Sequence, residues 1–315
     1  DVTGNQAGSV GMALDPAYAT TRRLYVCYHH HTDDGVHENR LSSFTVQQGR
    51  LENETLLLDH LPGDDIHNGC RVAIDREGLL YLTTASMEPF DDALDITRLG
   101  GKVLRLTATG QVPQDNPFPD SFVWSYGHRN AQGLAFDDVT GALWSTEHGE
   151  QSADELNLIE RGANYGFREC RGSAGIGETF NAESYWADRL LIEDGQATCQ
   201  LPEPHASAYR PAFRTYYEDG TVGISDLVVY HGDAFPEWRG NLLIAALGAS
   251  ELIRVELLDG TIVGEEALLR GQYGRLRDVT VGPDGNLYVL TNERGEDGSW
   301  VGRSRVLRLR PSSGG

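Results

Sequence analysis

The chain has 315 residues with 26 basic and 47 acidic side chains, a net charge of −21, and no apolar run near the roughly 18–20 residues that a membrane-crossing helix needs. Apolar segments recur along its whole length, so it is not a disordered chain, and its acidity argues against nucleic acid as a partner because phosphates would be repelled. Only one basic residue is lysine, Lys102, and the 37 glycines fall at turns between short apolar runs, as a many-stranded β protein requires.

Five segments share one grammar: an alternating apolar run, a turn containing Asp, Gly or Pro, then Leu-Tyr or Leu-Trp opening a second run. The first is GMALDPAYATTRRLYVCY from Gly11, followed by a strand candidate RLSSFTV. CRVAIDREGLLYLTTA begins at Cys70 and is followed by GGKVLRLTA; QGLAFDDVTGALWSTEH begins at Gln132. After an irregular excursion over about 167–216 come SDLVVYHGDAFPEWRGNLLIAAL from Ser225, then ELIRVEL, and DVTVGPDGNLYVLTN from Asp278, then SRVLRLR. Each of the five reads as a β-hairpin with its turn chemistry in place. Amphipathic stretches of helix length are essentially absent. The repetition predicts one all-β domain over 1–315, a β-propeller with four-stranded antiparallel blades, ahead of a sandwich or jelly roll, which needs no five copies of one hairpin. Radial packing makes a central pocket lined by the loops that join blades.

Cys27, Cys70, Cys170 and Cys199 contain no CxxC pair, which argues against a thiolate zinc site. Cys170 and Cys199 flank a stretch rich in Gly and acids, and a disulfide across it would place the protein in the periplasm or outside the cell; the alternative is four buried, reduced thiols.

Polar clusters stand in the loops before and after the hairpins: Asp64-Asp65-Ile66-His67-Asn68-Gly69, Tyr126-Gly127-His128-Arg129-Asn130, Glu147-His148-Gly149-Glu150 with Asp154-Glu155 and Asn164-Tyr165-Gly166, and Arg275-Leu276-Arg277-Asp278. Three arginines and a histidine thereby occupy the same edge of three blades. In an acidic chain they would form a local positive basin for a small polyanion, their planar forks matching carboxylates. Taken singly, Arg275 and Arg277 could be surface ion-pair partners and His67 a structural histidine of its own loop.

WSYGHRNAQGLAF (124–136) and EHGEQSADELNLIERGANYG (147–166), with the more general GPDGNLYVLT (282–291), make the sequence resemble the soluble PQQ-dependent aldose sugar dehydrogenases, relatives of soluble quinoprotein glucose dehydrogenase. The resemblance runs from about Gln6 to Arg308. It implies a six-bladed propeller that binds pyrroloquinoline quinone (PQQ) with calcium (Ca2+) and oxidises an aldose at the anomeric carbon to the lactone, passing electrons to an external acceptor. By position, His67 would be the general base, and Arg129 would bond the quinone oxygens. Gln6, Asn130 and Thr221 would support the cofactor, and Arg275 and Arg277 would pair with its carboxylates. The Gly149 and Glu150 carbonyls would coordinate the calcium beside the quinone, while Glu155 and the Tyr165 carbonyl match a second, structural calcium site.

The chain departs from that pattern in four places. Glu150 stands where the family commonly has proline, Gly248 where a lysine contacts the cofactor, and Ser86 where an aspartate orients the histidine, a task Asp64 or Asp65 could take over. The family's leading hairpin before the segment matching Gln6 is missing, so either residues preceding Asp1 complete the first blade or that blade is incomplete; a five-bladed closure is the less favoured alternative. The Gly248 and Ser86 departures favour a second reading, a binding module without catalysis; a third, a calcium-dependent lactonase, would need side-chain carboxylates where the pattern supplies arginines. Tyr185, Trp186, Tyr216 and Tyr217 of the long excursion could stack on a pyranose or simply pack beneath the loop.

Overall fold

The computed structural model describes residues 9–31, 35–64, 67–87, 89–149, 153–170, 179–181, 196–216, 222–293 and 304–311. All five anticipated hairpins form, and each supplies the first two strands of an antiparallel sheet. The first blade contains β1 (Ser9–Leu14), β2 (Arg23–His31), β3 (His37–Gln47) and β4 (Arg50–Pro62) in sequential order. The second contains β5 (Val72–Ile74), β6 (Leu80–Thr84), β7 (Lys102–Leu106) and β8 (Val123–Tyr126). In the third, β9 (Ala131–Phe136), β10 (Leu143–Glu147) and β11 (Asp154–Ile159) precede the excursion. That excursion holds a two-stranded ribbon, β12 (Thr179–Asn181) with β13 (Gln196–Thr198), and the blade's outer strand β14 (Arg214–Tyr216) follows it. The fourth blade is β15 (Ile224–Val229), β16 (Leu242–Ala246), β17 (Glu251–Leu258) and β18 (Thr261–Leu268). The fifth has three strands among the described residues, β19 (Leu276–Val281), β20 (Leu287–Thr291) and β21 (Val306–Leu309).

The expectation of six blades with an incomplete first one is therefore corrected: five blades form among the described residues, one for each hairpin unit, and the first has all four strands because the chain from Ser9 to Pro62 supplies them in sequence. Alternation along β1 shows the consequence: Ala13 packs towards the second blade, whereas Met12 and Leu14 on the opposite face are 59% and 57% exposed. At the other end of the array Val306 of β21 is 69% exposed.

The hairpin turns have a common chemical cause. At 75–78 and 137–141 an aspartate carboxylate accepts a backbone N–H of its own turn, from Leu79 at 2.8 Å and from Val139 at 2.8 Å. Each turn then closes with a glycine at positive φ, Gly78 and Gly141, where an L side chain would be strained. Glycine has a different purpose at Gly133 on β9: a Cβ there would meet the Ser225 carbonyl at 2.6 Å, so only glycine lets the inner strands of the third and fourth blades approach. Between blades, apolar residues of facing sheets interlock, for example Leu41, Leu61, Val72, Leu80, Leu104 and Val123 between the first and second.

The Cys170–Cys199 disulfide is present and closes the excursion as expected. A second bridge, Cys27–Cys70, joins β2 of the first blade to the segment entering β5 of the second, across a sequence separation of 43. Because it closes a long loop of the unfolded chain, removing it in a Cys27→Ser/Cys70→Ser variant is expected to lower the unfolding free energy by about 2–4 kcal/mol, measured by urea unfolding without reductant.

Lys102, the sole lysine, is fully buried rather than placed in the central pocket. Its Nζ donates to the carbonyls of Asp92 at 2.7 Å, Ala93 at 2.9 Å and Gly100, shaping the 92–100 loop. No described helix is long and apolar enough to cross a membrane.

Candidate active site

The loops beside the inner strands bring residues from three blades together. His67 lies between β4 and β5, Arg129 between β8 and β9, His148 just beyond β10, and Arg275 and Arg277 at the start of β19. Arg129 Nη2 lies 3.2 Å from His67 Nε2, and its Nη1 donates to the His148 carbonyl at 3.2 Å. Since a guanidinium can only donate, that contact leaves Nε2 of His67 as the acceptor and puts the ring proton on Nδ1. Burial first, then the charge of Arg129 and the electrostatic influence of His148, lower His67 to about 4 against the opposing pull of Asp64. His148 is lowered further, to about 3, by burial and by Arg277, Arg129 and Arg275. Both imidazoles are thus neutral at pH 7, and the Nε2 of His148 is shielded from solvent without a hydrogen-bond partner among the described residues.

In the cofactor-free protein the His67 ring is expected to titrate near pH 4 rather than 6.5, as followed by its NMR chemical shift. The unfolded chain takes up this proton first, so His67 contributes stability above about pH 6.5, and that contribution is lost as pH falls towards 4. A bound polyanion, by offsetting the arginines, should move the titration upwards.

Arg277 is the best-anchored cation of the group. Its Nη1 donates to Gln132 Oε1 at 2.7 Å and Ser225 Oγ at 3.0 Å, and burial with neighbouring Arg71 brings its pKa down only to about 10, so it stays charged. Gln132 in turn donates through Nε2 to Asn130 Oδ1 at 2.8 Å, and the same oxygen accepts Gly69 N–H at 3.2 Å. Asn130, buried to 1% exposure, therefore braces the His67 loop against β9 with its oxygen. Beneath this layer Arg71 spans three further blades: Nε reaches Gln132 O and Asp226 Oδ1, both at 3.2 Å, and Nη1 reaches Asp278 Oδ2 at 2.7 Å.

The 147–154 loop is held by carboxylates at its two ends. Glu147 bonds the fully buried His128 at 2.9 Å and accepts the Arg129 N–H, fixing the backbone that carries Arg129. Asp154 accepts N–H groups from Gly149 at 2.9 Å, Gly223 at 2.5 Å and Ile224 at 3.1 Å, so the turn bearing the Gly149 carbonyl is tied to β15. The Ser86 hydroxyl bonds the buried Asp92 carboxylate, and its N–H donates to the Arg129 carbonyl at 2.7 Å. At Gly248 the backbone N–H bonds Val222 O at 2.9 Å.

Other expectations meet a different fate. Gln6, Thr221, Glu150, Asp65, Tyr185, Trp186 and Tyr217 lie outside the described residues. Glu155 sits on β11 with its carboxylate accepting from Asn157 at 3.1 Å, whereas the Tyr165 ring stacks on His128 at 4.7 Å and its hydroxyl bonds Leu158 O and Glu160 N. Tyr216 is part of the core between the third and fourth blades. An aromatic wall not anticipated from the sequence stands beside the candidate base: Phe90 lies 6.0 Å from the His67 ring and 5.7 Å from Phe167.

The chemistry of this cluster fits a small polyanion. Arg129, Arg275 and Arg277 all act on the neutral His148, and Arg129 also on the neutral His67; a backbone carbonyl such as that of Gly149 is the hard oxygen that calcium prefers. The Glucose / Sorbosone dehydrogenase family matches residues 2–301 of the chain. An aldose sugar dehydrogenase, YliI, of Escherichia coli (strain K12) is 31% identical over 302 residues, covering 91% of this chain and 75% of the relative. Quinoprotein glucose dehydrogenase B of Acinetobacter calcoaceticus is 27% identical over 361 residues, covering 93% of this chain and 75% of the relative. Among solved structures, the PQQ-bound aldose sugar dehydrogenase from Streptomyces coelicolor superposes with a TM-score of 0.75 at 28% identity, covering 98% of this chain and 81% of that one.

Proposed function

Because the chain belongs to the glucose/sorbosone dehydrogenase family, we propose that it is a PQQ-dependent enzyme that oxidises an aldose at the anomeric carbon to the lactone and passes electrons to an external acceptor. The observation that carries this reading is the pairing of a neutral His67, with Nε2 as the acceptor nitrogen, and the charged Arg129 at 3.2 Å, within a group of arginines. When bound, PQQ with calcium supplies the electron-accepting quinone and the Lewis acid that polarises it.

The rest of the chemistry belongs to side chains of this chain. His67 Nε2 takes the proton of the anomeric hydroxyl, and its depressed pKa keeps it available for that task across the neutral range. Arg129 would bond the cofactor's quinone oxygens and stabilise negative charge on them, while Arg275 and Arg277 would pair with its carboxylates. Asn130, with Gln6 and Thr221, would support the ring system. The carbonyls of Gly149 and Glu150 would hold the catalytic calcium, and Glu155 with the Tyr165 carbonyl a second one. Phe90 supplies an apolar face beside the base on which a pyranose can lie. The two disulfides fit an oxidising compartment, and we place the enzyme in the periplasm or outside the cell.

The test is reconstitution. Purified protein is loaded with PQQ and calcium, and dye reduction is followed on adding a panel of aldoses. Sugar-dependent reduction supports the dehydrogenase. Tight cofactor binding with no turnover on any aldose would instead establish the binding module to which the Gly248 and Ser86 departures point.

A further inference from the structure

A second cluster of imidazoles lies outside the proposed catalytic centre, at the β2–β3 end of the first blade. His31 of β2 is paired with His37 of β3, and His29 is paired with Asn39. Directly opposed residues and those two apart on one strand share a sheet face, so His29, His31, His37 and Asn39 all project to one side, while His30 and Glu38 project to the other. The candidate ligand nitrogens of the three histidines all lie within 4.8 Å of one another. The ring centroids of His31 and His37 are 4.1 Å apart, and His29 lies 5.3 Å and 5.4 Å from the two.

Asn39 sets the tautomer of the deepest member. Its Nδ2 donates to the Pro62 carbonyl at 2.7 Å and the Asn68 carbonyl at 2.9 Å, which fixes the amide orientation. The amide oxygen is therefore the atom that faces His29 Nδ1 at 3.3 Å, so Nδ1 carries the proton and Nε2 presents a lone pair to the cluster. An imidazole whose outer nitrogen is committed to a carbonyl in this way is the usual arrangement of a metal ligand. His29 Nε2 is 3.4 Å from His37 Nδ1. That is longer than a good hydrogen bond and close to the ~3.3 Å nitrogen–nitrogen edge of a tetrahedral site with zinc–nitrogen bonds of about 2.0–2.1 Å. His31 Nε2 is shielded from solvent and has no hydrogen-bond partner among the described residues. His29 is 3% exposed while His31 and His37 are half-buried, so one side of the cluster opens to solvent.

We propose that His29, His31 and His37 form a binding site for a divalent transition-metal cation of the zinc and copper(II) class, with a fourth position that none of the three histidines fills. Neutral imidazoles select these metals over calcium and magnesium, which prefer oxygen ligands. The contrast with the nearby Glu38, Asp59 and His60 group is instructive. There Arg40 already occupies the cation's place, 2.6 Å from Asp59 and 3.4 Å from Glu38.

The test starts from chelator-treated protein held in excess calcium, into which zinc is titrated calorimetrically, with cobalt(II) as a spectroscopic substitute. One equivalent of zinc should bind in the presence of calcium, and cobalt(II) should give the intense visible bands of a four-coordinate site. Zinc-edge X-ray absorption of the unmutated protein should count three imidazoles, a readout that does not depend on any variant folding. His31→Ala and His37→Ala should each weaken zinc binding by at least about 100-fold, while His30→Ala, altered on the opposite face, should bind as before. Absence of stoichiometric zinc binding, an imidazole count below three, or either of the first two variants binding normally would overturn the proposal.

Discussion

Replacing His67 with alanine is expected to lower kcat on the preferred aldose by about 10²–10⁴-fold, the usual contribution of a positioned base, with little change in cofactor affinity. The separation of effects follows from the geometry. The cofactor's charges would be met by Arg129, Arg275 and Arg277, and Arg277 is anchored independently of His67 through Gln132 and Ser225. His67 instead touches Arg129 alone among these groups, through its unprotonated nitrogen at 3.2 Å. Cofactor titration by absorbance and dye-coupled turnover, run on the same preparation, measure the two quantities separately. If turnover survives His67→Ala within a few-fold, His67 is not the base. If cofactor affinity collapses with turnover, its role lies in shaping the pocket. An Arg277→Ala variant should behave in the opposite sense, losing cofactor affinity first.

The parts of this molecule that were legible in the sequence are those encoded over short distances. The period-two alternation and the Asp-to-Gly turns place all five hairpins because strand faces and turn conformations are local properties. Cys170 and Cys199 bracket one loop and could be paired for that reason. Cys27 and Cys70 belong to different blades, and their pairing follows only from how those blades stack. The same limit explains the site. His67, Arg129 and Arg277 stand out because each lies in a polar cluster at a hairpin entrance. Arg71, in contrast, reads as an ordinary residue before a strand, and its partners Asp226 and Asp278 lie more than 150 positions away. His148 and Gln132 stand within recognisable motifs, yet their function as a shielded imidazole and as the bridge between Asn130 and Arg277 depends on which blades face each other. The three-histidine cluster is likewise invisible until the register pairs His31 with His37. Ser86 shows that a substitution at a familiar position need not remove the local carboxylate, since Asp92 bonds its hydroxyl.

Arg71→Ala should be the most destabilising single change in the centre of the array, lowering the unfolding free energy by about 3–5 kcal/mol. The side chain is nearly inaccessible, at 8% exposure, and it is the cation between Asp226 and Asp278 while also bonding Gln132 O. Burial already pushes the Asp226 carboxyl well above the usual carboxylate range, Arg71 opposes that shift and Asp278 adds to it. Removing the guanidinium leaves the two carboxylates with Arg277 as the remaining cation that acts on both, so the neutral form of Asp226 is favoured further. Two consequences are measurable by urea unfolding. The deficit of Arg71→Ala relative to the unmodified protein should shrink as pH falls, because proton uptake by Asp226 relieves the uncompensated charge. The double variant Arg71→Met/Asp226→Leu should recover much of the loss, since it replaces a buried ion pair with apolar volume and leaves Asp278, the more accessible carboxylate, free to hydrate. Equal, additive losses at every pH would mean that the three groups do not act as a unit. The inner strands of the second, fourth and fifth blades would then be held by apolar packing alone, and the array should keep its shape without the ionic centre.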